Sequence, residues 1–223
     1  FAYGALVFPG GKLDIQDFDP ELLKLCGKQG LTIEDLAVRI CGIRETFEEA
    51  GVLLARDATN GKMISGKRCA ALTATYRELL HEGSITLLEI VKKENIELAC
   101  DQLTLFARWI TPSSFSRRFD ALFFLAETPI DYIASHDDVE SINSVWTAPS
   151  DALKEADEGR ATIVFATRMN LQKLARYDSL VSLIKDTNEH DVITVEPHLH
   201  EKDGNVTYTI PIEAGYGITE FTE

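Results

Sequence analysis

The chain has 223 residues, of which 45% are hydrophobic, enough for one large domain or for one domain with a sizeable insertion. Its formal net charge of −14 argues against binding the phosphate backbone of a nucleic acid, because that binding depends on Lys and Arg. A small phosphorylated substrate is compatible with this charge, since a bound metal ion can invert the local potential. No apolar run approaches the roughly 20 residues that span a bilayer, so we expect no membrane partner.

The four cysteines are scattered along the chain. They are Cys26, Cys41, Cys69 and Cys100. No C-x-x-C pair or Cys/His ligand spacing appears among them. We therefore expect isolated, reduced thiols that pack as small apolar residues.

The N-terminus carries no signal-peptide pattern, and the chain begins at Phe1 without a Met. Whether a targeting segment precedes Phe1 is therefore an open question. We expect a cytoplasmic protein if the source is bacterial, with organelle targeting as the alternative.

The first quarter of the chain predicts a strand, a loop and one long helix. Residues 1–8 form an apolar run that ends at Pro9-Gly10-Gly11, which is typical of a strand entering a tight turn. Residues 12–30 hold Asp, Pro and Gly breakers, so we expect a loop with at most one helical turn. A helix over 33–50 follows, with Thr32 as its N-cap and Gly51 just after its end.

This helix has two different faces at about 100° per residue. The apolar face holds Leu36, Ile40, Ile43 and Phe47. The opposite face holds Cys41, Glu45, Glu48 and Glu49. Because like charges this close repel, the acidic face either stays in water or binds a cation.

The middle of the chain is predicted to be mainly helical. A short apolar segment at 52–55 and a polar loop at 57–66 precede a helix over 67–80, and residues 85–105 form short helix-like or mixed pieces. We therefore expect a helical insertion over about 67–105.

The remaining chain alternates strands and helices. The prediction comprises strands at 106–110, 121–126 and 141–147, a polar acidic loop at 131–140, a short helix at 152–156, one long helix at 167–184, and strands at 192–198 and 206–212. The last two strands are joined by Lys202-Asp203-Gly204-Asn205, a hairpin-type turn.

The Gly10-Gly11 turn and the stretch 44–52 together resemble the Nudix box, G-x5-E-x7-R-E-U-x-E-E-x-G-U, where U is a bulky apolar residue. The second half matches at its Arg, Glu and Gly positions, 44, 45, 48, 49 and 51, and ends on the apolar Val52. The first half departs from the pattern, because Gly11 lies 33 residues before Arg44 and the uninterrupted motif allows about 14. Leu36 stands eight residues before Arg44, so the motif's first Glu has no assignment.

A long insertion at this point is typical of a Nudix subfamily that includes coenzyme A diphosphatases. The segments 7–14, 34–41, 109–112 and 117–120 resemble that subfamily as well. The resemblance implies an α/β/α sandwich with a mixed sheet plus a helical insertion. We expect a single domain over 1–223, with the box insertion at about 12–32. The helical insertion either shapes an acyl or pantetheine pocket or forms a homodimer contact.

The resemblance also implies a Mg²⁺- or Mn²⁺-dependent hydrolase of a small-molecule diphosphate. Residues matching Glu45, Glu48 and Glu49 bind the metals and serve catalysis in this family, and the carbonyl matching Gly10 can join them. Arg44 is implied to be structural, pairing with a motif glutamate. Gly51 is implied to be structural at the end of the box helix.

Further site residues are expected outside the box. The family often adds a ligand or the general base from a loop before a Trp-bearing strand; we choose Glu140, with Asp137 and Asp138 as competitors. Arg117 and Arg118 are candidates for contacting substrate phosphate, with a structural or surface ion pair as the alternative.

Three alternatives stay open on the sequence. The substrate is coenzyme A or an acyl derivative, or else a nucleotide sugar or a dinucleotide. The domain is an enzyme, as the intact glutamates favour, or a non-catalytic ligand sensor with the same fold. The acidic face is a metal site or a chance feature of a helical scaffold.

The pair His198-x-His200 has a weak metal-ligand spacing, and ordinary surface histidines are favoured there.

Overall fold

The structure is a computed structural model that describes residues 5–26, 30–134, 144–202 and 205–222. It divides into two compact units. The box unit comprises the described residues within Pro9–Leu103 and Ala126–Trp146. The sheet unit comprises those within Phe1–Phe8, Thr104–Leu125 and Thr147–Glu223. The prediction of a single domain with two insertions stays a prediction.

The helices and strands follow one another in mixed order. In chain order they are β1 (Ala5–Leu6), α1 (Pro20–Lys24), α2 (Ile33–Ala50), β2 (Ala55–Asp57), α3 (Gly66–His81), α4 (Leu87–Glu94), β3 (Ile96–Leu98), β4 (Thr104–Ile110), β5 (Asp120–Leu125), α5 (Asp131–Ala134), α6 (Pro149–Asp157), β6 (Thr162–Ile163), α7 (Phe165–Leu174), α8 (Leu180–Glu189), β7 (Thr194–Val195), β8 (His198–Lys202), β9 (Asn205–Thr209) and β10 (Glu220–Thr222).

The box unit is mainly helical. The helix expected over 67–80 is α3, and the strands β2 and β3 pair antiparallel with Ala55 opposite Leu98. Residues 12–30 contain more helix than expected, because a 3-10 turn at Ile15–Phe18 precedes α1. Asp14 and Asp19 cap these two pieces by accepting backbone N–H groups, so the breakers in this segment also start helices.

Two of the four cysteines form a disulfide, so the expectation of four reduced thiols was wrong. Cys26 follows α1 and pairs with Cys100, with the two Cα atoms 5.4 Å apart. Cys41 and Cys69 are free and buried, as expected. Spacing along the chain could not reveal the pair, because 74 positions separate its members.

The sheet unit contains the mixed sheet. Its central strand β4 pairs antiparallel with β5 and parallel with β7. The turn predicted at 202–205 lies between β8 and β9, with Lys202 opposite Asn205, but the strand expected at 192–198 comprises β7 and only the first residue of β8. β10 extends the hairpin on the other side of β9. The two residues between Lys202 and Asn205 lie outside the described part. β1 pairs parallel with β6.

Three further local predictions differ from the structure. The helix expected over 167–184 is two helices, α7 and α8, because the Ser179 side chain accepts the backbone N–H of Ser182 at 3.2 Å and starts a new helix. The described part of the strand expected at 141–147, residues 144–147, is irregular. The first residues of the loop expected at 131–140 form α5.

The core of the sheet unit is aromatic and apolar. Trp109 donates from Nε1 to the Tyr216 hydroxyl at 2.8 Å, and that hydroxyl donates to Asn170 Oδ1 at 2.8 Å. Phe165 stacks on Tyr208 with ring centroids 4.6 Å apart. Within the described ranges of both units, no helix is long and apolar enough to cross a membrane.

Candidate active site

The box helix α2 begins and ends where its sequence predicts. Thr32 accepts the backbone N–H of Asp35 at 3.1 Å, which satisfies one of the unpaired donors of the first turn. Gly51 has φ 68°, a left-handed conformation that glycine adopts without strain. A Cβ on Gly51 would also lie 2.8 Å from Thr73 Cγ2. Glycine is therefore required there both by backbone conformation and by space.

The two predicted faces of α2 are present, but the acidic face is only partly in water. Ile40, Ile43 and Phe47 are fully buried on the apolar side. On the other side the Glu45 and Glu48 side chains are only 14% and 12% exposed. Carboxylates this enclosed need compensating partners, because burying an unpaired charge is costly.

The principal partner is Arg44, which forms a buried ion pair with Asp17. Its Nε donates to Asp17 Oδ1 at 2.9 Å and a terminal nitrogen donates to Oδ2 at 3.0 Å, a bidentate arrangement. The side chains of Arg44 and Asp17 are 6% and 0% exposed. The pair joins the 3-10 turn to the box helix.

Sequence reasoning missed Asp17. It stands six residues after Gly11, at the spacing G-x5-E that the motif reserves for its first Glu. No acid stands eight residues before Arg44, because the insertion lies between Asp17 and Arg44. Counting forward from the glycine and accepting Asp in place of Glu would have found it.

Arg44 also holds the metal-site candidates. It donates to Glu45 Oε1 at 2.8 Å and to Glu48 Oε1 at 3.2 Å, and it reaches the Lys12 carbonyl at 3.0 Å. Three carboxylates, those of Asp17, Glu45 and Glu48, thus share one guanidinium. The prediction that Arg44 pairs with acids of the motif agrees with this geometry, while its functional role stays a proposal.

The glycine turn meets the acidic face of α2. The Gly10 N–H donates to Glu49 Oε2 at 2.8 Å. A Cβ on Gly11 would lie 2.4 Å from the carboxyl atoms of Glu45, so any side chain there would displace that glutamate. The turn and the three glutamates therefore form one site, the box site, made of Gly10, Gly11, Arg44, Glu45, Glu48 and Glu49.

Burial affects the ionisation of the box site. It raises the pKa of Glu45 above its usual value, against the opposing charge and hydrogen bond of Arg44. Burial also raises the pKa of Cys41 to about 12, with the Asp17 charge adding to the effect. Cys41 is therefore a protonated, packed thiol at neutral pH and not a nucleophile.

The other predicted site residues are less informative. Arg118 donates to the Thr111 carbonyl at 2.8 Å and pairs with Glu196 at 2.6 Å. Arg117 lies over the Phe119 ring at 5.1 Å. Both arginines belong to the sheet unit, and their contact with substrate stays a prediction. Glu140 and its competitors Asp137 and Asp138 lie outside the described residues.

The donor set of the box site suits a hard divalent cation, which prefers oxygen ligands. The single positive charge of Arg44 does not balance the carboxylates of Glu45, Glu48 and Glu49, so the site has a net negative charge. Glu45 and Glu48 accept hydrogen bonds from Arg44, and Glu49 accepts one from the Gly10 N–H. Among the described residues, no three His, Cys, Asp or Glu side chains are placed together so that they could hold a metal ion. That statement covers His198 and His200, which lie on β8. A cation at the box site would thus compete with Arg44 and Gly10 for the same oxygens.

The fold and the box site define the class: an α/β protein of the Nudix fold. A solved Nudix hydrolase from Alicyclobacillus acidocaldarius shares this fold with a TM-score of 0.56 and 22% identity, over 82% of this chain and 81% of its own. The model of the NUDT19 Nudix domain matches residues 26–168. The chain therefore belongs to the Nudix hydrolase family, an enzyme family, as its sequence predicted.

Three curated relatives carry the name acyl-coenzyme A diphosphatase NUDT19. The protein from Xenopus laevis is 23% identical over 95% of this chain, that from Homo sapiens 30% over 70%, and that from Gallus gallus 26% over 85%. The matched regions span 67%, 44% and 61% of these relatives' own lengths.

Proposed function

We propose that this protein hydrolyses a diphosphate bond in a divalent-metal-dependent reaction, and that its substrate is coenzyme A or an acyl derivative. The observation that carries the reaction class is the box site, in which Arg44, anchored by Asp17, binds Glu45 and Glu48 while the glycine turn binds Glu49. The substrate class is supported by the relatives, which are named acyl-coenzyme A diphosphatases.

Glu45, Glu48, Glu49 and the Gly10 carbonyl would hold Mg²⁺ or Mn²⁺. When bound, such an ion neutralises phosphate oxygens and lowers the pKa of a bound water. It would also relieve the excess negative charge that Arg44 alone leaves. Since Glu45 and Glu48 are mostly buried, the ion would sit in a partly desolvated place, where charge interactions are stronger than in bulk water.

The protein's own groups position this chemistry. Asp17 fixes Arg44, and Arg44 orients one oxygen each of Glu45 and Glu48. A water oxygen forms a new bond to one phosphorus, the P–O–P bridge breaks, and two phosphorylated products leave. A base must take the water proton; Glu140 is our candidate for it.

The test is a substrate screen with Mg²⁺ and Mn²⁺, run on coenzyme A, an acyl-coenzyme A, a nucleotide sugar and a dinucleotide. Turnover in ¹⁸O-labelled water places the label in one phosphorylated product, which mass spectrometry detects. Glu48→Gln should lower kcat by on the order of 100-fold, because it removes a charged ligand. Glu34→Gln is the matched control, since Glu34 is an exposed residue of the first turn of the same helix.

The outcomes separate the candidate functions. Unchanged turnover in Glu48→Gln means that the box site is not the active site. Faster turnover of a nucleotide sugar or a dinucleotide replaces the coenzyme A assignment. No turnover together with a thermal shift on adding Mg²⁺ or Mn²⁺ indicates a ligand-sensing domain, and no shift at all indicates an acidic face without a metal.

A further inference from the structure

Helix α3 presents a stripe of four side chains at every fourth position. They are Cys69, Thr73, Arg77 and His81. Residues four apart lie on the same face of a helix, so the stripe runs along one side of α3. Its first three members bind the end of the box helix, and its fourth lies next to a glutamate of the box site.

The first part of the stripe fixes the backbone where α2 ends. The Gly51 carbonyl accepts from Thr73 Oγ1 at 2.8 Å and from Cys69 Sγ at 3.4 Å. The Cys69 sulfur in turn accepts the Leu53 N–H at 3.3 Å. The Gly51 carbonyl is one of the acceptors that a helix leaves unpaired at its C-terminus, so α3 caps the end of α2.

Arg77 binds the backbone of two residues of the box site, Glu48 and Glu49. Its Nε donates to the Glu48 carbonyl at 2.8 Å, and a terminal nitrogen donates to the Glu49 carbonyl at 2.6 Å. A guanidinium with two such bonds holds the last turn of α3 at a fixed place against α2. His81 follows one turn later, so its position beside the box site is determined by Arg77.

His81 lies on the solvent side of Glu48. Its Nδ1 is 3.8 Å from Glu48 Oε2, too far for a hydrogen bond, and the His81 side chain is 74% exposed. Glu48 is only 12% exposed, and its other oxygen is held by Arg44. The imidazole is thus next to the carboxylate without being bound to it, and an imidazole offers at least one N–H donor in every protonation state.

We infer that His81 is a substrate-contacting residue that donates a hydrogen bond to a phosphate oxygen of the diphosphate. The inference rests on the proposed function. A diphosphate bound at the box site needs donors for its oxygens, and Arg44 there is already occupied by carboxylates. His81 supplies an accessible donor at that edge, so the helical insertion contributes to the site through the last turn of α3.

Steady-state kinetics at saturating Mg²⁺ test this role. His81→Ala should raise KM about 3- to 10-fold with kcat within about 2-fold, the size expected for one partly exposed hydrogen bond to an anion. His81→Gln keeps an N–H donor and should recover part of the loss. The thermal unfolding midpoint should not move, because the side chain is mostly exposed.

His190→Ala is the matched control. His190 is also exposed and lies beside a carboxylate, with Nδ1 3.5 Å from Asp186 Oδ1, but it belongs to the sheet unit. It should leave both constants unchanged. The inference is overturned if His81→Ala leaves KM unchanged at saturating Mg²⁺, because an effect seen only at lower Mg²⁺ would come from metal binding alone.

A binding measurement separates this inference from the proposed function. The imidazole NMR signals of His81 and His190 are assigned by their absence from the spectra of His81→Gln and His190→Gln. Adding inorganic pyrophosphate with Mg²⁺ to the native protein should shift the His81 signal and leave the His190 signal in place. That shift in a protein without diphosphatase activity supports the contact and refutes the function. Turnover of coenzyme A without any shift of the His81 signal refutes the contact and leaves the function intact.

Discussion

The two compact units differ in how deeply an ion pair can be buried, although the box unit also has surface pairs such as Lys92 with Glu21, at 54% and 58% exposure. The box unit buries an ion pair, with Asp17 and Arg44 at 0% and 6% side-chain exposure. In the sheet unit the corresponding pairs lie at the surface: Arg108 and Asp120 are 43% and 44% exposed. A buried pair costs desolvation energy to form and much more to leave half-broken, whereas a surface pair contributes little. We infer that the buried pair of Asp17 and Arg44 fixes the orientation of Arg44, despite the desolvation energy that its burial requires.

Removing the buried partner should have the largest effect. Asp17→Asn leaves Arg44 buried with a neutral partner and with no acceptor for one of its donors. We expect a loss of about 3–5 kcal/mol in the free energy of unfolding, measured by urea denaturation. A loss below about 1 kcal/mol would show that Glu45 and Glu48 suffice to hold the guanidinium, and the contrast between the units would then fail.

Removing the disulfide should have the next largest effect. Cys26 and Cys100 are both fully buried in the box unit and close a long loop. The double variant Cys26→Ser/Cys100→Ser should lose about 2–4 kcal/mol. Hydrogen exchange should show faster opening at the Leu98 N–H, which bonds to the Leu25 carbonyl, than at β4 amides of the sheet unit.

Thiol counting by mass spectrometry controls the disulfide experiment. The native chain should show two alkylatable cysteines after unfolding without reductant and four after reduction. Four in both conditions would mean that the pair is reduced in the purified protein. Equal exchange in both units after the double substitution would contradict a local role in the box unit.

Breaking the surface pair should have the smallest effect. Asp120→Asn should cost at most about 1 kcal/mol at pH 7. Hydrogen bonding from Arg108 lowers the pKa of Asp120 below its usual value, so the stabilising contribution is present above the unfolded pKa of about 3.9. It is lost as pH falls through the lower folded pKa. The difference between native and variant unfolding curves should therefore vanish in acid and shrink with added salt.

The pH dependence of the difference in unfolding free energy between the native protein and Asp120→Asn can contradict the stabilising role of the Asp120 carboxylate. A difference that grows as pH falls would mean that the carboxylate of Asp120 is destabilising in the folded state. A difference as large as that of Asp17→Asn would remove the distinction between surface and buried pairs.

Several elements follow from local sequence. The box helix has the predicted limits because Thr32 caps its first turn and Gly51 takes a left-handed conformation that ends it. The strands β9, β4 and β5 lie close to their predicted positions, whereas the strand expected at 192–198 is divided between β7 and the first residue of β8. These features depend on residues a few positions apart, which a sequence places in order. The prediction of one helix over 167–184 did not include the break before α8, because apolar residues occur on both sides of the capping Ser179.

The sequence alone determined the acidic face of α2, its apolar back, the glycine turn and membership of the Nudix family. Helical periodicity and short caps are enough for these, since they act within one or two turns. Only the tertiary structure decided which acid anchors Arg44, which cysteines pair and which side chain of α3 lies beside Glu48. Those contacts join residues 27, 74 and 33 positions apart, and chain packing, not local spacing, brings such residues together.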